Sequence, residues 1–200
     1  ALSIIKLPSP WLSERKNYWK ALKFIENKEF DILMMPNMIK RFPPAPCGAS
    51  ITSIDTIQEV AISITNFVHQ ATKKKLSILH KPYNPATVKL LAKTMRELER
   101  IGGSLYHCEQ QLDKGLTLEL LGRCSVVVWD QPGTGFLECL SSKIPTMVLW
   151  PRIFNQEENW VKPLFLELEK KGIIHRDAKT LVEEIHLFKL SPTVWMQDVE

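Results

Sequence analysis

The run Val126-Val127-Val128-Trp129-Asp130-Gln131-Pro132-Gly133-Thr134-Gly135-Phe136-Leu137-Glu138, followed by Ile144-Pro145-Thr146-Met147-Val148-Leu149-Trp150, constrains this chain more than any other segment. An uninterrupted apolar stretch ends in Asp. A Gly-rich turn with one hydroxyl follows, then a helical pattern, then a second apolar stretch after a Lys-Ile-Pro break. This order predicts strand, loop, helix and strand, with the loop at the carboxyl end of the first strand. In open parallel α/β sheets ligands sit beyond those strand ends. A helix starting there presents unpaired N–H groups and a partial positive charge to an anion. Gly133 and Gly135 permit close backbone approach, and Thr134 adds a hydroxyl. A tight turn in which Thr134 merely caps the helix is the plainer alternative.

The same logic extends along the chain. Asp31–Met35, Lys75–His80, Ser104–His107, Ser125–Trp129 and Thr146–Trp150 read as short buried strands. Between them lie helical patterns from Ser53 or Asp55 to about Ala71 and at 85–101, 116–121 and 134–142, with Asn84-Pro85 suited to N-cap and first helical position. Later helices are expected at 159–171 and 178–188, around an extended Gly172-Ile173-Ile174. Apolar strands without alternation, separated by helices, predict a parallel sheet covered on both faces: an α/β, Rossmann-like fold. Residues 31–190 are expected to form that domain, 1–30 a helical appendage or linker (helix 13–28, capped by Ser13), and 191–200 a C-terminal tail. Residues 37–53, rich in proline, read as one long loop of the kind that carries function or stays disordered.

Composition narrows the function classes. With 44% hydrophobic and 24% charged residues, the chain is ordinary for a globular protein with a sizeable core. No apolar run reaches the ~18–20 residues that span a bilayer. Residues 1–8 lack a basic region and a long apolar core, so no signal peptide is expected there, and the missing initiator Met fits an excised fragment. The four cysteines are widely spaced and read as buried free thiols in a reducing compartment, hence a cytoplasmic expectation. Neither they nor the five histidines show metal-ligand spacing, so no metal and no cofactor is expected. A net charge of +4, without a basic stripe interleaved with aromatics, argues against nucleic acid but fits anionic ligands or the surface of a membrane.

Two strand ends are expected to meet at one site. His80-Lys81-Pro82 leaves one strand and Asp130–Gly135 another. Lys81 suits a phosphate and His80 can donate from a ring nitrogen, or His80 packs while Lys81 points to solvent. Glu138 shares the helix face of Thr134 and suits ligand hydroxyls, unless it only complements the helix dipole. Asp130 orients a ligand or closes an Asx-turn. Arg41 and Arg152 are candidates to clamp a diphosphate bidentately, or are ordinary surface residues. The dinucleotide G-x-G-x-x-G, the Walker loop and the G-x-S-x-G elbow are all missing.

The turn Gly133-Thr134-Gly135, the helix carrying Glu138, Pro145 opening the next strand, and His80-Lys81-Pro82-Tyr83-Asn84-Pro85 together resemble the donor-site segment of glycosyltransferases with two Rossmann-like domains, the GT-B fold. The later stretch 159–195 resembles the end of bacterial transferases from surface-carbohydrate loci. The resemblance implies that Thr134 and Gly135 hold phosphate, Glu138 a donor hydroxyl, and His80 or Lys81 the phosphate or leaving group. It implies a nucleotide-sugar donor, a saccharide acceptor bound through an N-terminal domain outside this chain, a growing surface polysaccharide as product, and peripheral association with the inner face of a membrane. Pro132-Gly133-Thr134 replaces a Ser/Gly pair, and Tyr83 stands where a second histidine is frequent. Alternatives are a nucleotide-sugar epimerase or polyol-phosphate transferase of the same fold, or a non-catalytic Rossmann-like interaction module.

Overall fold

Six short strands pair in the order β3-β2-β1-β4-β5-β6, every pair parallel, in a computed structural model that describes residues 9–20, 28–36, 54–151 and 157–199. The strands are β1 (Phe30–Met35), β2 (Ile78–His80), β3 (Tyr106–Cys108), β4 (Cys124–Trp129), β5 (Thr146–Leu149) and β6 (Ile174–His175). The expected parallel α/β sheet is thus observed. Its order reverses between β1 and β4, because the chain first builds outward through β2 and β3 and then returns to the other side of β1.

Burial on both faces explains the lack of alternation. Ile32, Met34, Ile78, Val126 and Val128 point into one core cluster, where helices α2 (Ile54–Lys73), α4 (Ala92–Gly102) and α8 (Ala178–Leu190) supply Phe67, Val68, Leu98 and Leu181. Leu33, Met35, Leu79 and Val127 point the other way, toward Trp19 of α1 (Pro10–Trp19), Leu120 and Leu121 of α5 (Leu118–Arg123) and Cys139 of α6 (Thr134–Ser141). Each inward side chain removes apolar area from water at roughly 25 cal/mol per Å², and strands buried on both sides collect this twice.

Local signals account for several boundaries. Asn84 accepts a 2.8 Å bond from the Thr87 amide and Pro85 opens α3 (Pro85–Leu90), as expected from the Asn-Pro pair. The helix then bends at Leu91 (φ −98°, ψ 21°) before α4, where a single helix was expected. The third strand begins two residues later than predicted, because Gly103–Leu105 forms a 3₁₀ turn. The first helix starts at Pro10 instead of Ser13: Ser9 accepts a 3.3 Å bond from the Leu12 amide, and proline needs no donor in the first turn. Its predicted continuation through residues 21–27 lies outside the described residues, as does the loop at 37–53.

The C-terminal segment is not a tail. Pro192–Val199 forms α9, and Trp195 is buried against Phe188, ring centroids 5.3 Å apart. Its indole N–H donates to Glu184 Oε1 at 2.5 Å. Ser191-Pro192 before an apolar pattern is a helix-start signal that the tail assignment passed over. Lys162–Lys170 forms the remaining helix, α7. Among the described residues no helix is long and apolar enough to cross a membrane.

Candidate functional site

The reversal of strand order sets the carboxyl ends of β1 and β4 side by side, and an open crevice of about 760 Å³ lies beyond them. Its floor is Met35-Pro36 at the end of β1 and Trp129 at the end of β4. Lys81 and Pro82 close one side after β2. Asp130, Gly133, Thr134 and Gly135 close another, and Glu138 faces in from α6. Lys81 and the Gly-Thr-Gly turn therefore share one sheet edge and one cavity, as the strand-end rule leads one to expect.

Helix α6 begins without a side-chain cap. Gly133 occupies the N-cap position with extended backbone (φ −117°, ψ −171°), and Thr134 is the exposed first helical residue. Thr134 is thus not the cap that the plainer reading made it. Among the described residues no side chain caps the first turn, and its start lines the crevice, the arrangement that accommodates an anion.

The two glycines of the turn differ in what they do. A Cβ on Gly133 would meet no atom within 4 Å, whereas a Cβ on Gly135 would stand 2.3 Å from the Trp129 ring. The benzo edge of the indole abuts Gly135 while its N–H donates to Thr146 Oγ1 at 3.0 Å, so it fastens the helix start to two strands. Gly135→Ala is expected to cost about 1–3 kcal/mol, because a ring fixed at both ends cannot yield cheaply. Gly133→Ala should cost under about 1 kcal/mol, the loss at an N-cap position. Denaturant midpoints of the two variants check the contrast.

Lys81 is buried, only 2% exposed. Its ammonium donates to the Pro82 carbonyl at 3.3 Å, one acceptor among the described residues for three N–H donors. Burial lowers its pKa, while Glu109, Asp113 and Cys108 act in the opposite direction. A buried lysine so poorly matched on the wall of an open crevice is costly to fold and suited to receive negative charge.

His80 is placed differently from the sequence expectation. It shares the sheet edge with Lys81, but its ring belongs to the opposite face, where Tyr106 from β3 meets it: Nδ1 and the phenol oxygen lie 2.5 Å apart. The alternation of strand side chains produces this separation: His80 shares the face of Ile78 and Tyr106, opposite to that of Leu79. Its Nε2 is buried without a hydrogen-bond partner among the described residues, and burial, aided by Lys81, holds the imidazole pKa down to about 3. His80 is a neutral core residue.

Glu138 is buried and engaged. Oε2 accepts from Arg15 Nε at 2.8 Å, and Oε1 accepts from Trp11 Nε1 at 3.1 Å. Both donors come from α1, more than a hundred residues away in sequence, and both line the crevice. Neither donor carries a recognisable motif in the sequence. The signal was present: Trp11, Arg15, Tyr18 and Trp19 follow one helical face, with the arginine centred among aromatics. Asp130 lines the crevice, while Arg41 and Arg152 lie outside the described residues. Among the described residues no three His, Cys, Asp or Glu gather into a group able to hold a metal ion. Cys108, Cys124 and Cys139 carry free thiols, and burial pushes the pKa of the first two to about 11 and about 12.

A parallel sheet covered on both faces, with an open crevice at its switch point, defines an α/β domain of the Rossmann-like class. The chain belongs to the LIC12162 family of transferases, whose family model matches residues 2–199. No curated protein matches the sequence. Among solved structures it is similar to a candidate UDP-N-acetylglucosamine 2-epimerase from Listeria monocytogenes (13% identity, 97% of this chain and 42% of that one, TM-score 0.47). It is also similar to the UDP-GlcNAc 2-epimerase of Neisseria meningitidis bound to UDP-GlcNAc (12%, 94% and 42%, 0.46). A third is the wall teichoic acid polymerase TagF (12%, 94% and 40%, 0.43). The chain spans about two fifths of the length of each.

Proposed function

We infer that this transferase binds the diphosphate of a nucleotide-sugar in the crevice, and that the chain is the donor half of a two-domain, GT-B-type glycosyltransferase of bacterial surface-polysaccharide synthesis. The observation that carries the reading is the pairing of a buried, under-matched Lys81 with the uncapped start of α6 on one cavity. Charge that develops on a departing nucleotide phosphate is what such a pair stabilises, and fixed donors need no reorganisation as it develops. The acceptor and the catalytic base belong, on this reading, to an N-terminal domain.

Titration of the chain by calorimetry with UDP-, CMP-, GDP- and dTDP-sugars tests this. One nucleotide class should bind, affinity should fall as NaCl rises because the charges are partly screened, and EDTA should leave it unchanged. Collapse on chelation with recovery on Mg²⁺ or Mn²⁺ would refute the metal-free arrangement. Absence of binding by all four classes to a folded chain would sink the donor-site reading.

A further inference from the structure

Arg15 is held in a way that a surface fastener does not require. Its guanidinium carbon lies 4.6 Å and 4.5 Å from the ring centroids of Tyr18 and Trp19, and 5.7 Å from that of Trp11. Its Nε donates to Glu138, whose side chain is only 8% exposed. Aromatic rings and a buried carboxylate thus orient the plane of the group. Of its five N–H donors the one on Nε is used, and the four on Nη1 and Nη2 receive no acceptor among the described residues. Arg15 itself lines the same crevice as Lys81 and the start of α6.

We propose that Arg15 is an anion-binding residue of this crevice, presenting the open edge of its guanidinium to the diphosphate, and that Glu138 acts through it as a positioning residue. The proposal rests on the donor-site reading above. A planar fork meets phosphate oxygens bidentately, and one already oriented loses little freedom on binding. Glu138 accepts one bond on each oxygen from α1, and in this role it serves the ligand by aiming Arg15. The clamp that the sequence reading sought in Arg41 or Arg152 is supplied, within the described residues, from α1.

The test uses the full chain with inorganic pyrophosphate and UDP as probes, measured by calorimetry. Hydrogen exchange of the 12–19 amides is followed in parallel as a readout of α1 docking. Arg15→Lys keeps the charge beside Glu138 and removes the fork; Arg15→Gln removes the charge. Both should weaken pyrophosphate and UDP about tenfold or more, with α1 still protected in Arg15→Lys. The slope of log affinity against log salt should shrink only in Arg15→Gln. Unchanged affinity in both variants overturns the proposal. So does a loss confined to variants whose α1 amides exchange freely, which would make Arg15 a fastener of the helix. Failure of the unsubstituted chain to bind either probe would instead remove the donor-site reading on which the proposal rests.

Discussion

Acidification from pH 7 to pH 4.5 is expected to strip stability from this fold steeply, and His80 is the main reason. Its folded pKa of about 3 lies below the ordinary value of 6.5. Above pH 6.5 the imidazole is neutral in both folded and unfolded chains, and its full contribution is present. As pH falls through 6.5 the unfolded chain takes up a proton that the folded chain refuses. Stability then drops by about 1.4 kcal/mol per pH unit until about pH 3. The structural cause is burial: Nε2 has no acceptor among the described residues, so a proton there has none to donate to. His175, also lowered by burial, adds a slope of the same sign. The double variant His80→Leu/Tyr106→Phe removes the ring and its partner together, leaving no orphaned hydroxyl. Urea unfolding of both proteins at pH 7 and pH 4.5 should show the stability gap between them shifting in favour of the variant by about 3 kcal/mol. An equal pH dependence in the two proteins would show that His80 does not resist protonation.

Lys81→Met is expected to separate binding from folding. The two side chains have similar length, and Met gives the pocket wall an apolar stem without a charge to desolvate. Stability should hold or rise, because replacing a poorly paired buried charge by an apolar group of similar shape is seldom costly. Binding of a nucleoside diphosphate should fall by about 1.5–3 kcal/mol, roughly ten- to a hundredfold, the scale of a hydrogen bond to a charged group. A thermal melt and a UDP titration of the same sample decide it. A lower Tm with undiminished affinity would mean that the ammonium serves the fold alone.

The parts of this architecture that were legible in the sequence are those fixed by local chemistry. Val126–Val128, Met147–Leu149 and Ile78–Leu79 announce doubly buried strands, and Asn84-Pro85 announces its own helix start. The shared edge of Lys81 and Gly133–Gly135 followed from strand order, because parallel strands deliver all their carboxyl ends to one side. What was not legible depends on contacts distant in sequence or on parity. His80 and Lys81 both looked like site residues; only the register with Tyr106 and Cys108 shows that one of them turns away. Glu138 looked free because its partners, Trp11 and Arg15, lie 127 and 123 residues away. Trp129 read as the last residue of a strand, and nothing local to it reveals the glycine it covers.

That cover has a consequence for how the motif can vary. Position 135 has no freedom of its own, since the indole at position 129 fills the space where a side chain would begin. The glycine is therefore a complement to a tryptophan, and the two positions are sterically tied to each other. A lineage that replaced Trp129 by a smaller residue would release position 135 to alanine or serine, and would lose with the indole its tie to Thr146. The Gly-Thr-Gly spelling of this turn is then as much a record of what stands at the strand end as of what the loop holds.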